Sequence, residues 1–439
     1  MRSERAIPKP DFARIELKKL ETSAEFDHIL YTDISRFYGT IYTHTIPWAL
    51  HGKAYSKANM YNASFKNSVG NQLDVLIRKG QDNQTIGIPI GPDTSRIASE
   101  IIAVAIEKRY SEIAQNDLSG AFRYVDDWFI GYNSVDDSER AISHLAQVCG
   151  EFELELNIEK TRIENSKSHV YSDWPEELSS LTVKSKTAAG QAKEIRRFFS
   201  TAIKLSEKNS NENVLTYALK MSRSFAVSDA NFLLFESFVL RIARLDRITI
   251  PVVAQILIVH SKNGKILNKN RCEKYINDTI NASFPLGHTS EVAWSLFLAR
   301  ELSIKLSTEL IQPLVDSENS VYGLLCLDLE KRALVRGTLN HMVLDSLMNP
   351  ASLWDANWLV AYEADLKGWL PNSVGTTHVE NDIWFKEMKA KKISFYDTSL
   401  TVPTFEASAE IQKDRWKHRS HYISEFFGEK FSMYGGGIF

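Results

Sequence analysis

The stretch Arg123-Tyr124-Val125-Asp126-Asp127-Trp128-Phe129 constrains this chain more than any other. Aromatic and β-branched residues on both sides read as strands, so the two acids fall on a strand-turn-strand. Adjacent carboxylates repel each other and are costly to desolvate, and a fold that buries them usually does so around bound cations. The turn is therefore a candidate metal site. The plainer alternative is a surface turn, where paired aspartates are common.

A second segment has the same character: Ile29-Leu30-Tyr31-Thr32-Asp33-Ile34-Ser35-Arg36-Phe37-Tyr38, an apolar run closing on one acid. If the two strands are neighbours, Asp33 and Asp126 face one point. Two carboxylates so placed can hold a pair of divalent ions about 3.5–4 Å apart, the arrangement used for in-line phosphoryl displacement.

Tyr124-Val125-Asp126-Asp127 resembles motif C of reverse transcriptases, and Asp33 with Tyr38 five positions on resembles their motif A. Gln84-Thr85-Ile86-Gly87-Ile88-Pro89-Ile90-Gly91-Pro92-Asp93-Thr94-Ser95 resembles motif B, and Leu156-Asn157-Ile158-Glu159-Lys160-Thr161 resembles motif D. The flanking text, Ile41 to Lys53 (IYTHTIPWALHGK), then Gly70-Asn71-Gln72-Leu73-Asp74 and Arg78, resembles the bacterial abortive-infection and defence-associated reverse transcriptases. The similarity continues to Trp384 and Ser394-Phe395-Tyr396-Asp397.

The resemblance implies a reverse-transcriptase-like, right-hand polymerase palm over residues 29–175; with the helix-pair spacing beyond it, which suggests an all-helical, α-solenoid-like C-terminal domain, the expected class is α+β. It implies Asp33, Asp126 and Asp127 as catalytic residues that hold two Mg²⁺ with the carbonyl of Ile34. Lys160 is expected to protonate the leaving pyrophosphate; a surface lysine is the alternative. Tyr38 sits where the family places a steric gate against the ribose 2′-hydroxyl. Ile34, Gly91, Arg78 and Arg123 complete the expected substrate-binding set. Ile90 stands where the family has a glutamine before the motif B glycine, which weakens the expectation of ordinary template contacts.

Composition bounds the rest. The 439 residues suffice for two or three domains, and 52 basic against 55 acidic residues argue against a chain that coats nucleic acid by overall charge. A polymerase needs only a local basic groove. Lys184, Lys186, Lys193, Arg196, Arg197, Lys204 and Lys208 supply a candidate; a solvated helix face is its plain counterpart. Cys149, Cys272 and Cys326 match no zinc spacing and read as buried small hydrophobes. No run reaches the roughly 18 apolar residues of a membrane span. A cytoplasmic protein without membrane attachment is expected.

In residues 1–28, Arg5, Lys9, Arg14, Lys18 and Lys19 are on hand to grip a triphosphate. Either the fingers are reduced to a remnant or the chain begins inside a longer protein. His44 and His51 read as core or substrate hydrogen-bonding groups rather than metal ligands. Helices are expected over 67–78, 94–113 and 134–152, with a short strand and turn within 154–163. Between residues 176 and 370 the spacing predicts successive helices over 191–205, 214–247, 252–260, 269–282, 291–307, 319–335, 340–348 and 353–370, with Trp354, Trp358 and Trp369 in the core. Residues 371–439 form a capping tail ending in Gly435-Gly436-Gly437.

The expected activity is DNA synthesis from dNTPs in anti-phage defence. Short fingers, Ile90 and a large helical domain favour template-independent, protein-primed synthesis, with single-stranded DNA left covalently attached to a homo-oligomer. Two alternatives stay open: copying of an associated RNA template, and a helical-repeat scaffold with an idle palm.

Overall fold

The structure is a computed structural model that describes residues 12–114, 120–167, 173–210, 212–370 and 377–405. The described residues fall into two compact units, one of residues 12–167 and one of residues 173–405. Arg5, Lys9 and the terminal glycines lie outside the described residues.

The first unit is α+β. Helix α1 (Phe12–Glu25) leads into β1 (His28–Thr32), followed by α2 (Phe37–Thr40), α3 (Thr45–His51), α4 (Lys53–Asn59), α5 (Ala63–Lys66), α6 (Val69–Lys79) and the long α7 (Asp93–Ile113). A hairpin of β2 (Ala121–Tyr124) and β3 (Asp127–Tyr132), helix α8 (Val135–Glu151) and β4 (Arg162–Asn165) complete it. The four strands are antiparallel in the order β2-β3-β1-β4. Strand β3 lies between β1 and β2, and β4 returns to the far side of β1: a split β-α-β arrangement.

Side chains alternate across the sheet. Leu30, Trp128 and Ile130 bury one face with Ile102, Ile106 and Tyr110 of α7 and Leu145 and Val148 of α8. Helix α1 lies on the other face, and two glycines make room for it: a Cβ on Gly120 or Gly131 would run into the Phe26 ring. Residues before β1, expected as a remnant of fingers, thus supply a helix packed on the sheet.

Helix α8 starts where its cap predicts, with Ser134 Oγ accepting from Asp137 N at 3.1 Å. Strand β4 begins at Arg162, later than the expected strand and turn, because residues 155–157 are tied to the end of β1. Ser35 N donates to Glu155 O and Asn157 N to Asp33 O, both at 2.8 Å.

The second unit is mostly helical. It contains α9 (Trp174–Ser180), α10 (Ala188–Lys208), α11 (Val214–Ser222), α12 (Asp229–Leu245), α13 (Ile250–Lys262), α14 (Lys269–Ser283), α15 (Thr289–Glu301), α16 (Thr308–Val315), α17 (Ser320–Lys331), α18 (Met342–Ser346), α19 (Trp358–Lys367) and α20 (Ile383–Ala390). Successive packing of α14 on α15, α15 on α17 and α17 on α19 builds one continuous core.

Three expectations fail here. The unit is not all-helical, since β5 (Leu306–Ser307) pairs in parallel with β6 (Val335–Arg336). The single helix expected over 214–247 is two helices. At the break, buried Gln191 receives Ser228 N and Oγ on its Oε1 and donates Nε2 to Ala226 O, so a distant side chain satisfies the backbone that the helix would have paired. Trp354 is 65% exposed, its Nε1 donating to Asp382, whereas Trp369 is buried.

Within the expected tail, residues 393–405 are strapped to the helical core. Arg300, 4% exposed, donates to Leu400 O and ion-pairs with Asp328, and Tyr396 donates to Asp328 at 2.8 Å. No helix among the described residues is long and apolar enough to cross a membrane.

Candidate active site

The hairpin turn places the paired acids. Tyr124 faces Asp127 in register, leaving Val125 and Asp126 as a two-residue loop. Val125 takes a φ of 57°, a conformation that costs a β-branched residue free energy and that persists only when the surroundings impose it. Arg123 imposes it. Its side chain is 6% exposed, pairs with Glu107 at 2.6 Å and Glu100 at 2.7 Å on α7, and donates Nη1 to Val125 O at 2.7 Å. Expected as a substrate ligand, Arg123 is committed to clamping the turn.

Asp33 follows the last residue of β1. Thr32 pairs with Trp128, so one further step of the register sets Asp33 against Asp127. Asp33 is 4% exposed; its Oδ2 receives Lys160 Nζ at 2.5 Å, and its Oδ1 is buried with no hydrogen-bond partner. The loop that carries Lys160 is fixed by a 2.7 Å hydrogen bond between the hydroxyls of Thr32 and Thr161.

Burial pushes the Asp126 carboxyl above its ordinary range, and the charges of Asp127 and Asp33 push it further. Asp127 is raised likewise, by burial and then by Asp33. Lys160 is raised by its hydrogen bond to Asp33 and stays an ammonium. The three acids therefore form one electrostatic unit at the sheet's end, short of positive charge.

The remaining predicted residues separate into two groups. Tyr38 is joined to the motif B loop: its backbone oxygen accepts from Ile88 N at 2.8 Å, and its hydroxyl receives Ser99 Oγ at 3.2 Å. Ile34 is buried beside Asp33. Gly91 has a φ of 120° with open space around a built Cβ, so the backbone conformation, and not crowding, requires glycine. Ile90 is 82% exposed. Arg78 binds Asp74 instead, through Nε at 2.9 Å, together with His44.

Lys19, one of the cations the sequence offers to a triphosphate, bears on the acid cluster. Its charge lowers the Asp127 carboxyl against the larger effects of burial and Asp33, and its Nζ lies 5.8 Å from the Phe129 ring and 6.0 Å from Tyr31. The signal was the spacing Lys19, Thr22, Phe26, one face of a helix. Glu100 and Glu107 carried no local mark; their role depends on where α7 packs.

Among the described residues no group of three His, Cys, Asp or Glu side chains closes on a single metal position. Lys160 supplies the cation at Asp33. The donor set itself, carboxylate and carbonyl oxygens with one buried orphan oxygen, suits a hard divalent ion such as Mg²⁺. No protein-family model matches the chain, and neither does any curated protein.

Proposed function

We propose that this chain is a DNA polymerase of the reverse-transcriptase type, with residues 29 to about 175 as its palm, acting in anti-phage defence. The observation that carries the reading is the gathering of Asp33, Asp126 and Asp127 at adjacent strand ends of a split β-α-β sheet, with two carboxyls raised and one buried oxygen unpaired. Such an excess of negative charge is costly unless cations answer it.

Asp33, the carbonyl of Ile34, Asp126 and Asp127 would hold the Mg²⁺ ions. Bound there, the metal would stabilise charge on the attacking and leaving oxygens of a phosphoryl displacement. Arg123 fixes the turn that presents Asp126. Tyr38 closes the pocket against a ribose 2′-hydroxyl, and Lys160 exchanges its partner Asp33 for the developing pyrophosphate.

The second unit supports the handling of product. On α10, Lys193, Arg197, Lys204 and Lys208 are exposed at helical spacing and form no ion pair among the described residues, while Glu194 is turned to the backbone N–H groups of Lys184 and Ser185. A helical stack carrying such a stripe can hold a single strand by its phosphates without reading sequence. Synthesis is accordingly proposed to be template-independent and protein-primed, in the cytoplasm, by a homo-oligomer.

The test incubates purified protein with labelled dNTPs and Mg²⁺, adding RNase before and during synthesis and protease afterwards. Incorporation that survives RNase and migrates with protein until proteolysis is expected. Incorporation abolished by RNase identifies a copier of bound RNA, and its complete absence leaves the helical unit as a scaffold.

A further inference from the structure

Asp74, on α6, is 1% exposed, and three donors meet it from the surface side. His44 Nδ1 lies 2.7 Å from Oδ2, Arg78 Nε 2.9 Å from Oδ1, and Arg78 Nη2 3.3 Å from Oδ2. Burial pushes the Asp74 carboxyl up, and the hydrogen bonds, that from His44 foremost, more than reverse this and hold it below its usual range. The acid is an anion that can only accept, so Nδ1 of His44 carries the proton and the orientation of the ring is fixed.

The two heads stay accessible. The His44 side chain is 34% exposed and that of Arg78 23% exposed. Arg78 uses two of its five N–H donors on Asp74, and neither its Nη1 nor His44 Nε2 has a partner among the described residues. Burying an ion pair for stability alone is a poor device, because apolar residues of the same volume often serve better. What the buried carboxylate does supply is orientation, as the outer carboxylates of metal-binding histidines do.

The surroundings fit a polymer. Thr43 N donates to Thr85 O at 2.8 Å and Tyr42 bridges Ile86, which fixes His44 beside the motif B loop. The Tyr42 ring lies 4.8 Å from His44, edge to face, and is backed by Trp48 at 5.7 Å. Ile86 is 65% exposed. Aromatic faces next to cationic heads are what single strands use, bases stacking while phosphates are gripped.

We propose that His44 and Arg78, held by Asp74, clamp a phosphodiester of a single nucleic-acid strand, with Tyr42 as the neighbouring stacking face. This rests on the polymerase reading for its biological setting, but it is tested by binding.

The experiment measures anisotropy of a labelled oligothymidylate titrated with the full chain over a salt series, for wild type, His44→Ala, Arg78→Ala and Tyr42→Leu. His44→Ala and Arg78→Ala are each expected to weaken binding about tenfold, and Arg78→Ala to reduce the slope of log K against log salt by about 1. Tyr42→Leu should weaken binding with the slope unchanged. Circular dichroism melting checks folding, and His44→Gln and Arg78→Lys replace any alanine variant that fails it. Folded His44 and Arg78 variants with wild-type affinity and slope would overturn the clamp. Wild type that incorporates dNTPs without binding the strand overturns it too and spares the polymerase. Strand binding lost in His44→Ala, with no incorporation by wild type, overturns the polymerase and keeps the clamp.

Discussion

The ammonium of Lys160 lies 2.5 Å from Oδ2 of Asp33, across 127 residues of sequence, and leaves the other oxygen of that buried acid unpaired. One side chain thus answers half of a carboxylate while the rest of the acid group remains uncompensated. Lys160 is 65% exposed and can swing away; Asp33 cannot.

Lys160→Met should therefore separate two roles. A general acid contributes about 10²–10⁴ in rate, so kcat should fall by that order with KM for dNTP changed little. The basic limb of the kcat profile, set by loss of the ammonium's proton, should disappear with it. A variant with unaltered kcat would make Lys160 a counter-ion only.

Asp126→Asn should abolish incorporation and raise stability. Because the folded-state carboxyls of Asp126 and Asp127 are raised, the stability they contribute is complete below the ordinary carboxylate range and is lost as pH rises through the raised values. At pH 7 the asparagine variant should melt higher, roughly 2–4 °C if the relief is worth about 1 kcal/mol. The gap should close in acid. Added Mg²⁺ should raise the melting temperature of wild type more than that of the variant, as binding to the folded state alone requires. Equal Mg²⁺ shifts would count against the metal site.

Tyr38→Ala should admit ribonucleotides. The hydroxyl is held by Ser99 and the backbone by Ile88, so the ring has a fixed position from which to exclude a 2′-hydroxyl. Competition between labelled dATP and ATP reads the ratio directly. Retained discrimination at full dNTP activity would return Tyr38 to the core.

Gly131→Ala tests the seat of α1. The added Cβ meets the Phe26 ring and the methyl of Thr22, an overpacking that generally costs about 1–3 kcal/mol. A lower urea midpoint is expected, partly recovered in Gly131→Ala with Phe26→Leu. Unchanged stability would mean that α1 lifts off the sheet at little cost, and Lys19 would then lose its place near Asp127.

The sequence by itself determined what local chemistry and periodicity can determine. The Ser134 cap, the apolar spacing of α7 and the acids of the hairpin turn each encode a structure within a few residues of themselves, and each appears where the residues say. Helices of the second unit followed for the same reason. Only the tertiary structure decided which of those pieces meet. Arg123 reads as a free cation until α7 brings Glu100 and Glu107 to it, and nothing beside His44 in the chain marks Asp74, 30 residues on, as the partner of its ring. The helix over 214–247 looked continuous because its break is stabilised by Gln191, 37 residues upstream of Ser228. Burial and long-range charge are properties of packed neighbours, and a linear pattern carries them only when those neighbours are also neighbours in the chain.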